Sequence, residues 1–269
     1  MKILFIGDIV GYLGREAVKK ILPKLKRKYR PDLIIANAEN LAHGKGVTET
    51  TLKEMREAGI DCFTSGNHIF AKKETDKLLG DENLCLLRPA NYPPEAPGIG
   101  EKIISIGLPG EAGQKNILLL NLMGRVFIQE NFDCPFRKFD EIIKKYKGLD
   151  AVIVDLHAEA TSEKKAFSFY ADGRATAIIG THTHIQTADE QISLKGTAYL
   201  TDAGMVGGKD SVLGVKTEII LKNFLNQINH AHEFPRQGEC EFNAVLITID
   251  AKDNKAKKIQ RIQETVKIK

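Results

Sequence analysis

Two histidines separated by a single residue, His182 and His184 in GTHTH, are the sharpest chemical feature of this sequence. In an extended backbone, residues two apart project to the same side, so both imidazoles can face one site; a helix would splay them apart. Four other apolar runs also end on a residue able to bind a cation. Asp8 follows KILFIG, Glu39 and Asn40 follow DLIIANA, Asn67 and His68 follow DCFTSG, and His157 follows AVIVDL. Taken singly, such a residue is more often a hydrogen-bonded structural group than a ligand. Five runs ending alike share one explanation, which is convergence on a metal centre. Imidazoles, carboxylates and amides without thiolates suit iron, manganese or zinc better than calcium or a soft metal. Ions in such a centre act as Lewis acids and acidify bound water.

Other residues of these types read differently. His230 and His232 repeat the spacing of the pair, but NQINHAHEFPRQG looks like a helix end running into a surface loop. His43-Gly44-Lys45-Gly46 follows Glu39 and Asn40 closely enough to contact substrate, although a surface turn is the preferred reading. Glu159, two residues beyond His157, either orients a ligand or is a solvated carboxylate. Gly7, Gly11 and Gly14 do not form GxGxxG, and the Walker pattern is absent.

Scattered residues can converge in this way when they sit at the carboxyl ends of strands, where α/β sheets bind their ligands. The sequence supplies such strands. KILFIGD, DLIIANAEN and DCFTSGNH are separated by helix-like stretches from Gly14 to Arg30 and from Thr48 to Ala58, a rhythm of successive βαβ units. KIISIG, KNILLLNLM, AVIVDLH and ATAIIGTHTH read as later strands, with helices from about Pro135 to Lys147 and Ser162 to Ala171. ISL, GTAYLTDAG, a helix near Lys216 to Gln227, and the strands EFNAVLITID and KAKKIQRIQ close the chain as a meander. The fold class is α/β, layered, with a mixed sheet or sheet pair and helices outside. Asn91 to Gly100 is rich in proline and glycine and reads as a loop, so residues 1–269 are expected to form a single domain.

At 269 residues and 42% hydrophobic content the chain can bury a full core. No run approaches the roughly 20 apolar residues of a membrane span, and MKILFI meets Asp8 too early for a signal-peptide core. A cytoplasmic protein with no membrane partner is expected. Cys62, Cys85, Cys134 and Cys240 contain no CxxC pair and read as isolated packing thiols in a reducing compartment. A net charge of +4 favours anionic substrates without forming the concentrated stripe of a dedicated nucleic-acid binder. The basic segments KKILPKLKRKYR, from Lys19, and KDNKAKKIQRIQETVKIK, from Lys252, read as solvated faces.

Taken in order, Asp8, Glu39, Gly66-Asn67-His68, His157 and the pair His182 and His184 resemble the pattern of the calcineurin-like metallophosphoesterase superfamily. More narrowly, GDIVG, NAEN followed by HGKG, GNHIF, LHAEATSEK, GTHTHIQTAD and TDAGM resemble the YmdB-type bacterial cyclic-nucleotide phosphodiesterases over nearly the full length. The resemblance implies an α/β/β/α metallophosphoesterase sandwich and two metal ions, iron or manganese being favoured over zinc. The usual Asp-x-His opening is here Asp8-Ile9-Val10, and Glu39 replaces the usual bridging Asp. By resemblance, Asn40 fills the place of the missing histidine and binds one ion with Asp8, Glu39 and His184. The second ion falls to Glu39, Asn67, His157 and His182.

Two ions bridged by Glu39 would lie roughly 3.5–4 Å apart and share a hydroxide, the implied nucleophile on a small phosphodiester such as a 2′,3′-cyclic or a 3′,5′-cyclic nucleotide. His68 is by resemblance the general acid for the leaving oxygen, a role suited to an imidazole titrating near neutrality. Two alternatives remain. One is a phosphomonoesterase or nucleotidase using the same metals; the other is a regulatory, RNA-associated metal-binding protein with little turnover, supported only by the basic segments. An RNA-processing partner and homo-oligomerisation complete the expectations.

Overall fold

The computed structural model describes residues 1–108, 113–250 and 253–269. Its elements begin with β1 (Lys2–Ile6), β2 (Asp8–Ile9), α1 (Gly11–Tyr29), β3 (Leu33–Asn37), α2 (Glu49–Ala58), β4 (Cys62–Thr64) and α3 (Thr75–Leu79). They continue with β5 (Glu101–Gly107), β6 (Gln114–Met123), α4 (Pro135–Lys145), β7 (Ala151–His157), α5 (Thr161–Tyr170) and β8 (Ala177–Thr181). The short strands β9 (Gln191–Ile192), β10 (Ala198–Leu200), β11 (Met205–Gly208), β12 (Ser211–Val212) and β13 (Val215–Lys216) follow. The chain closes with α6 (Thr217–Asn226), β14 (Gly238–Ile249) and β15 (Ala256–Ile268).

Alternation along β1 explains the layering. Leu4 and Ile6 are buried with Leu13, Ala17 and Ile21 of α1, whereas Ile3 and Phe5 are buried with Ile117, Leu119, Ile153 and Ile179 of the facing sheet. Beyond that sheet, Leu118, Leu120 and Val154 pack with Phe139 of α4 and Phe167 of α5. Successive strand side chains point to opposite faces, so the three clusters are the three interfaces of a helix, sheet, sheet, helix stack. The expected layered α/β/β/α sandwich is the observed architecture.

One sheet runs β2-β11-β14-β1-β3-β4 with β15 added on β14, and the other runs β5-β6-β7-β8-β10-β9. Both are mixed. β1, β3 and β4 are parallel, as are β6, β7, β8 and β10, whereas β14 and β5 pair antiparallel with β1 and β6. Parallel register brings carboxyl ends level: Ile6 aligns with Ala36, and Met123, His157 and Thr181 align across β6, β7 and β8.

Local signals account for the helix ends. Thr48 caps α2 in a reciprocal capping box with Thr51, and Pro135 opens α4, where its missing N–H costs nothing. The lysines of the basic run along α1 face solvent, while Ile21, Leu22 and Leu25 face the core. Residues 91–100 form a loop, and Lys252, which opens the second basic segment, lies outside the described residues. No helix among the described residues is long and apolar enough to cross a membrane.

Two expectations are corrected. Cys62 and Cys85 are joined by a disulfide, with Cα atoms 4.7 Å apart, so only Cys134 and Cys240 are free thiols. A parallel bridge between Phe63 and Leu86 lays the two cysteines side by side, a tertiary contact that their sequence spacing did not signal. The extended run expected through His184 also stops early: β8 ends at Thr181, and His182 (φ 98°) and His184 (φ 65°) adopt left-handed backbone. Strand alternation therefore does not orient the paired histidines.

Candidate metal centre

The ends of β1, β3, β4, β7 and β8 meet between the sheets. Asp8 is 0% exposed, Glu39 1% and Asn40 3%, so two carboxylates are withdrawn from water at one place. Burial on this scale demands a compensating charge. Imidazoles supply part of it. His157 Nε2 lies 3.1 Å from Glu39 Oε1 and 3.0 Å from His182 Nδ1. Ligand atoms of Glu39, His157 and His182 all fall within 4.8 Å of one another, a separation that one ion can bridge. On the other side of Glu39, Asn40 Nδ2 lies 3.4 Å from Glu39 Oε1 and 3.2 Å from His184 Nε2, and His184 Nε2 lies 3.9 Å from Asp8 Oδ1.

The proton affinities follow from this crowding. Burial pushes the Asp8 carboxyl up against the opposing pull of His184 and His157. Burial would raise Glu39 too, but the adjacent His157 outweighs it and holds the carboxyl far below the usual range. His157 is raised reciprocally, to about 9, because Glu39 overcomes burial, whereas burial and the neighbouring His157 take His182 down to about 3.

Two acceptor oxygens bear on what the cluster could hold. Asp8 Oδ1 and Asn67 Oδ1 are buried with no hydrogen-bond partner. An unsatisfied buried acceptor costs about 1–3 kcal/mol, and more where it carries charge. Carboxylate and amide oxygens beside imidazole nitrogens form the donor set of a hard to borderline cation.

A family model described as YmdB-like protein matches residues 4–262. The chain belongs to the YmdB-like protein family. Its relatives include the 2′,3′-cyclic-nucleotide 2′-phosphodiesterase of Bacillus subtilis (strain 168), 45% identical over 263 residues that cover 97% of this chain and 96% of that protein. A crystal structure described as a novel phosphatase from Mycoplasma pneumoniae aligns with a TM-score of 0.90 at 36% identity, covering 98% of this chain and 93% of that one. The NAD nucleotidase of Haemophilus influenzae aligns over 99% of this chain and 56% of its own at 15% identity, with a TM-score of 0.58, a likeness of fold.

In this YmdB-like chain the sequence named the residues that face one another but missed those that hold them. His157 Nδ1 donates to Thr181 Oγ1 (2.8 Å), which donates to Asp155 Oδ1 (2.6 Å); Asn37 Nδ2 and Thr64 Oγ1 donate to Asp155 Oδ2. This fully buried relay fixes the imidazole with Nε2 turned to Glu39, as an oriented ligand histidine requires. His184 is fixed from outside, its Nδ1 donating to Leu213 O at 3.1 Å. Lys164 and Asp202 grip the loop carrying the pair: Lys164 Nζ donates to Thr181 O, and Asp202 Oδ2 accepts from Thr183 N. Both residues stand in motifs singled out above, LHAEATSEK and TDAGM, but a lysine on a helix reads as solvated.

Glu159 belongs to the site, its Oε2 3.0 Å from His182 Nε2. The 43–46 turn closes behind Glu39, whose carbonyl accepts from Gly46 N. His68 donates its backbone N–H to Glu39 Oε2 at 3.0 Å, and burial outweighs Glu39 to lower its imidazole pKa. His230 and His232 take no part in the cluster around Glu39.

Proposed function

We propose that this chain is a dinuclear metal-dependent phosphodiesterase that hydrolyses 2′,3′-cyclic nucleotides, with 3′,5′-cyclic nucleotides as a second ester class. The observation that carries this reading is the pair of buried acceptors without a hydrogen-bond partner, Asp8 Oδ1 and Asn67 Oδ1. The first lies 3.9 Å from His157 Nδ1, and the second is on the residue between Gly66 and His68, which both adjoin Glu39. Asp8, Glu39, Asn40 and His184 would hold one ion, and Glu39, Asn67, His157 and His182 the other, with Glu39 shared. A half-turn of the Asn40 amide presents Oδ1 where Nδ2 now stands. When bound, the ions acidify water and neutralise charge gathering on the phosphoryl oxygens.

The chain's own groups supply the rest. Asp155, through Thr181, keeps the His157 Nδ1 proton away from the centre. His68 sits beside the centre with its backbone tied to Glu39, so its imidazole can give a proton to the departing ribose oxygen. A pKa lowered by burial makes the protonated ring a readier donor. Iron or manganese suits this donor set, and the neutral amide of Asn40 weakens the hold on one ion. The pairing of Lys2 with Thr248 joins the two ends of the chain in one sheet, which supports a single domain over residues 1–269.

The test is a substrate and metal panel. Chelated protein should be inactive, and iron or manganese should restore hydrolysis of 2′,3′-cyclic AMP together with about two ions per chain. Full activity after exhaustive chelation removes the proposal. A second reading, a phosphomonoesterase, is favoured by the Mycoplasma pneumoniae relative described as a phosphatase. Faster hydrolysis of adenosine 3′-monophosphate than of the cyclic diester would select it.

A further inference from the structure

A cleft of about 650 Å³ is lined by stretches of chain that adjoin those carrying Asp8, Asn40 and His184. Its walls continue the segments that carry those three residues. Tyr12 and Arg15 stand on α1, directly after Asp8, and Gly11 N donates to Asn40 O at 2.9 Å. His43 belongs to the turn after Asn40, and Lys216 ends the β12–β13 hairpin whose Leu213 O accepts from His184. Phe234 closes the floor: its ring lies so close to Gly44, which has φ +80°, that no Cβ fits there.

The lining combines cations with flat rings. Arg15 is tied to Glu54 and Leu41 O, and Lys216 to Glu233. Arg236 has no carboxylate partner among the described residues; its guanidinium sits 5.8 Å from the centre of the Tyr12 ring, and Tyr12 is 37% exposed. An unpaired guanidinium beside an accessible ring suits a single nucleic-acid strand, in which charge holds the phosphate and stacking holds the base irrespective of sequence. The volume falls within the roughly 300–1,000 Å³ of ligand sites and exceeds the needs of a simple anion.

We infer that the physiological substrate is the 2′,3′-cyclic phosphate at the 3′ end of an RNA strand, with the preceding nucleotide held in this cleft by Arg236 and Tyr12. This rests on the phosphodiesterase reading of the metal centre. A terminal cyclic phosphate continues into its strand through the 5′ oxygen, so the strand must leave the centre through an open, cationic face. Water adds to phosphorus, the bond to O2′ breaks, and O2′ departs with a proton, leaving a 3′-phosphate. The requirements at the centre are the same for mononucleotide and strand, so the cleft acts on KM.

The experiment compares 2′,3′-cyclic AMP with ApA ending in a 2′,3′-cyclic phosphate on the manganese-loaded protein. The dinucleotide should have a KM at least tenfold lower, and added salt should shrink that advantage, since a phosphate contact releases counterions. R236A and Y12A should each bring the ratio of the two KM values toward one, and R236E should carry it further. Equal KM values in the wild type, or an unaltered ratio in both R236A and Y12A, overturn the inference. If no cyclic-ended substrate is hydrolysed, the phosphodiesterase reading fails, and titration of the metal-free protein with the same dinucleotide then decides the cleft. Binding lost in R236A supports it; no binding overturns it.

Discussion

Lys164 Nζ lies 2.6 Å from Asp202 Oδ2, and both side chains are fully buried. The two grip the chain on either side of His182, Lys164 through Thr181 O at 2.8 Å and Asp202 through Thr183 N at 3.1 Å. Asp202 Oδ1 also accepts from Gly204 N, and its backbone exchanges hydrogen bonds with Thr187. The left-handed conformations of His182 and His184 are costly for residues with a Cβ and persist only where their surroundings over-determine them. The ion pair is that surrounding structure.

K164M should therefore disturb the centre without touching it. Removing one partner of a buried pair costs about 3–5 kcal/mol, because the other charge is left uncompensated. The metal-free variant should lose stability of that order in urea unfolding and, once refolded, bind manganese more weakly than the wild type. A purely structural pair would lower stability and leave the affinity of the folded protein for manganese unchanged, which is the result against a positioning role.

Gly66 makes a steric prediction. A Cβ at this position would overlap the His157 imidazole and Glu39 Oε2. Neither neighbour can retreat, since His157 is tied into the Asp155 relay and Glu39 accepts from His68 N. G66A should fold, with far-ultraviolet circular dichroism like that of the wild type, yet retain less than about half its metal, because misplaced ligands typically cost 10–100-fold in affinity. Full metal content in G66A would show that the two side chains are freer than their hydrogen bonds imply.

The legible and illegible parts of the chain divide along a physical line. Apolar periodicity marked β1, β3, β7 and their helices because burial writes itself locally into sequence, and strand-end polarity marked Asp8, Glu39, Asn40 and His157 because the ends of parallel strands face one crevice. What escaped depends on tertiary placement. Thr181 Oγ1 joins His157 to Asp155 only once β7 and β8 lie in register. Cys62 meets Cys85 only because Phe63 pairs with Leu86. The histidine pair was found for a reason that fails in the fold, since its geometry comes from left-handed loop residues held by Lys164 and Asp202. Strand alternation alone would aim both rings one way. Instead His182 Nδ1 faces His157, while His184 Nε2 faces Asn40 and Asp8.

H68Q tests the assigned proton donor. Glutamine keeps the backbone N–H that reaches Glu39 Oε2 but cannot deliver a proton at neutral pH. Losing a general acid lowers turnover by about 10²–10⁴-fold. kcat for 2′,3′-cyclic AMP should fall on that scale, while elemental analysis still finds about two ions per chain. A substrate with a much better leaving group, such as a nitrophenyl phosphodiester, needs less protonation and should be hydrolysed with a smaller deficit. Equal deficits on both substrates would deny His68 that role, and loss of an ion would make it a ligand.

N40A separates the two halves of the centre. Asn40 is 3% exposed, and its amide stands between Glu39 Oε1 and His184 Nε2, away from the contact of His157 with His182. Removing it deletes a donor from the ion assigned to Asp8 and His184, whereas Glu39, His157 and His182 keep their mutual spacing. With Asn40 gone this ion would keep three protein donors while the other keeps four, so it should be lost first. Manganese titration should show the two ions of the wild type reduced toward one in N40A, the retained ion binding within about tenfold of its original affinity. N67A should give the complementary result, weakening the ion beside His157 and His182. N40A that binds two ions as tightly as the wild type would remove Asn40 from the ligand set and leave Asp8, Glu39 and His184 to hold that ion without it.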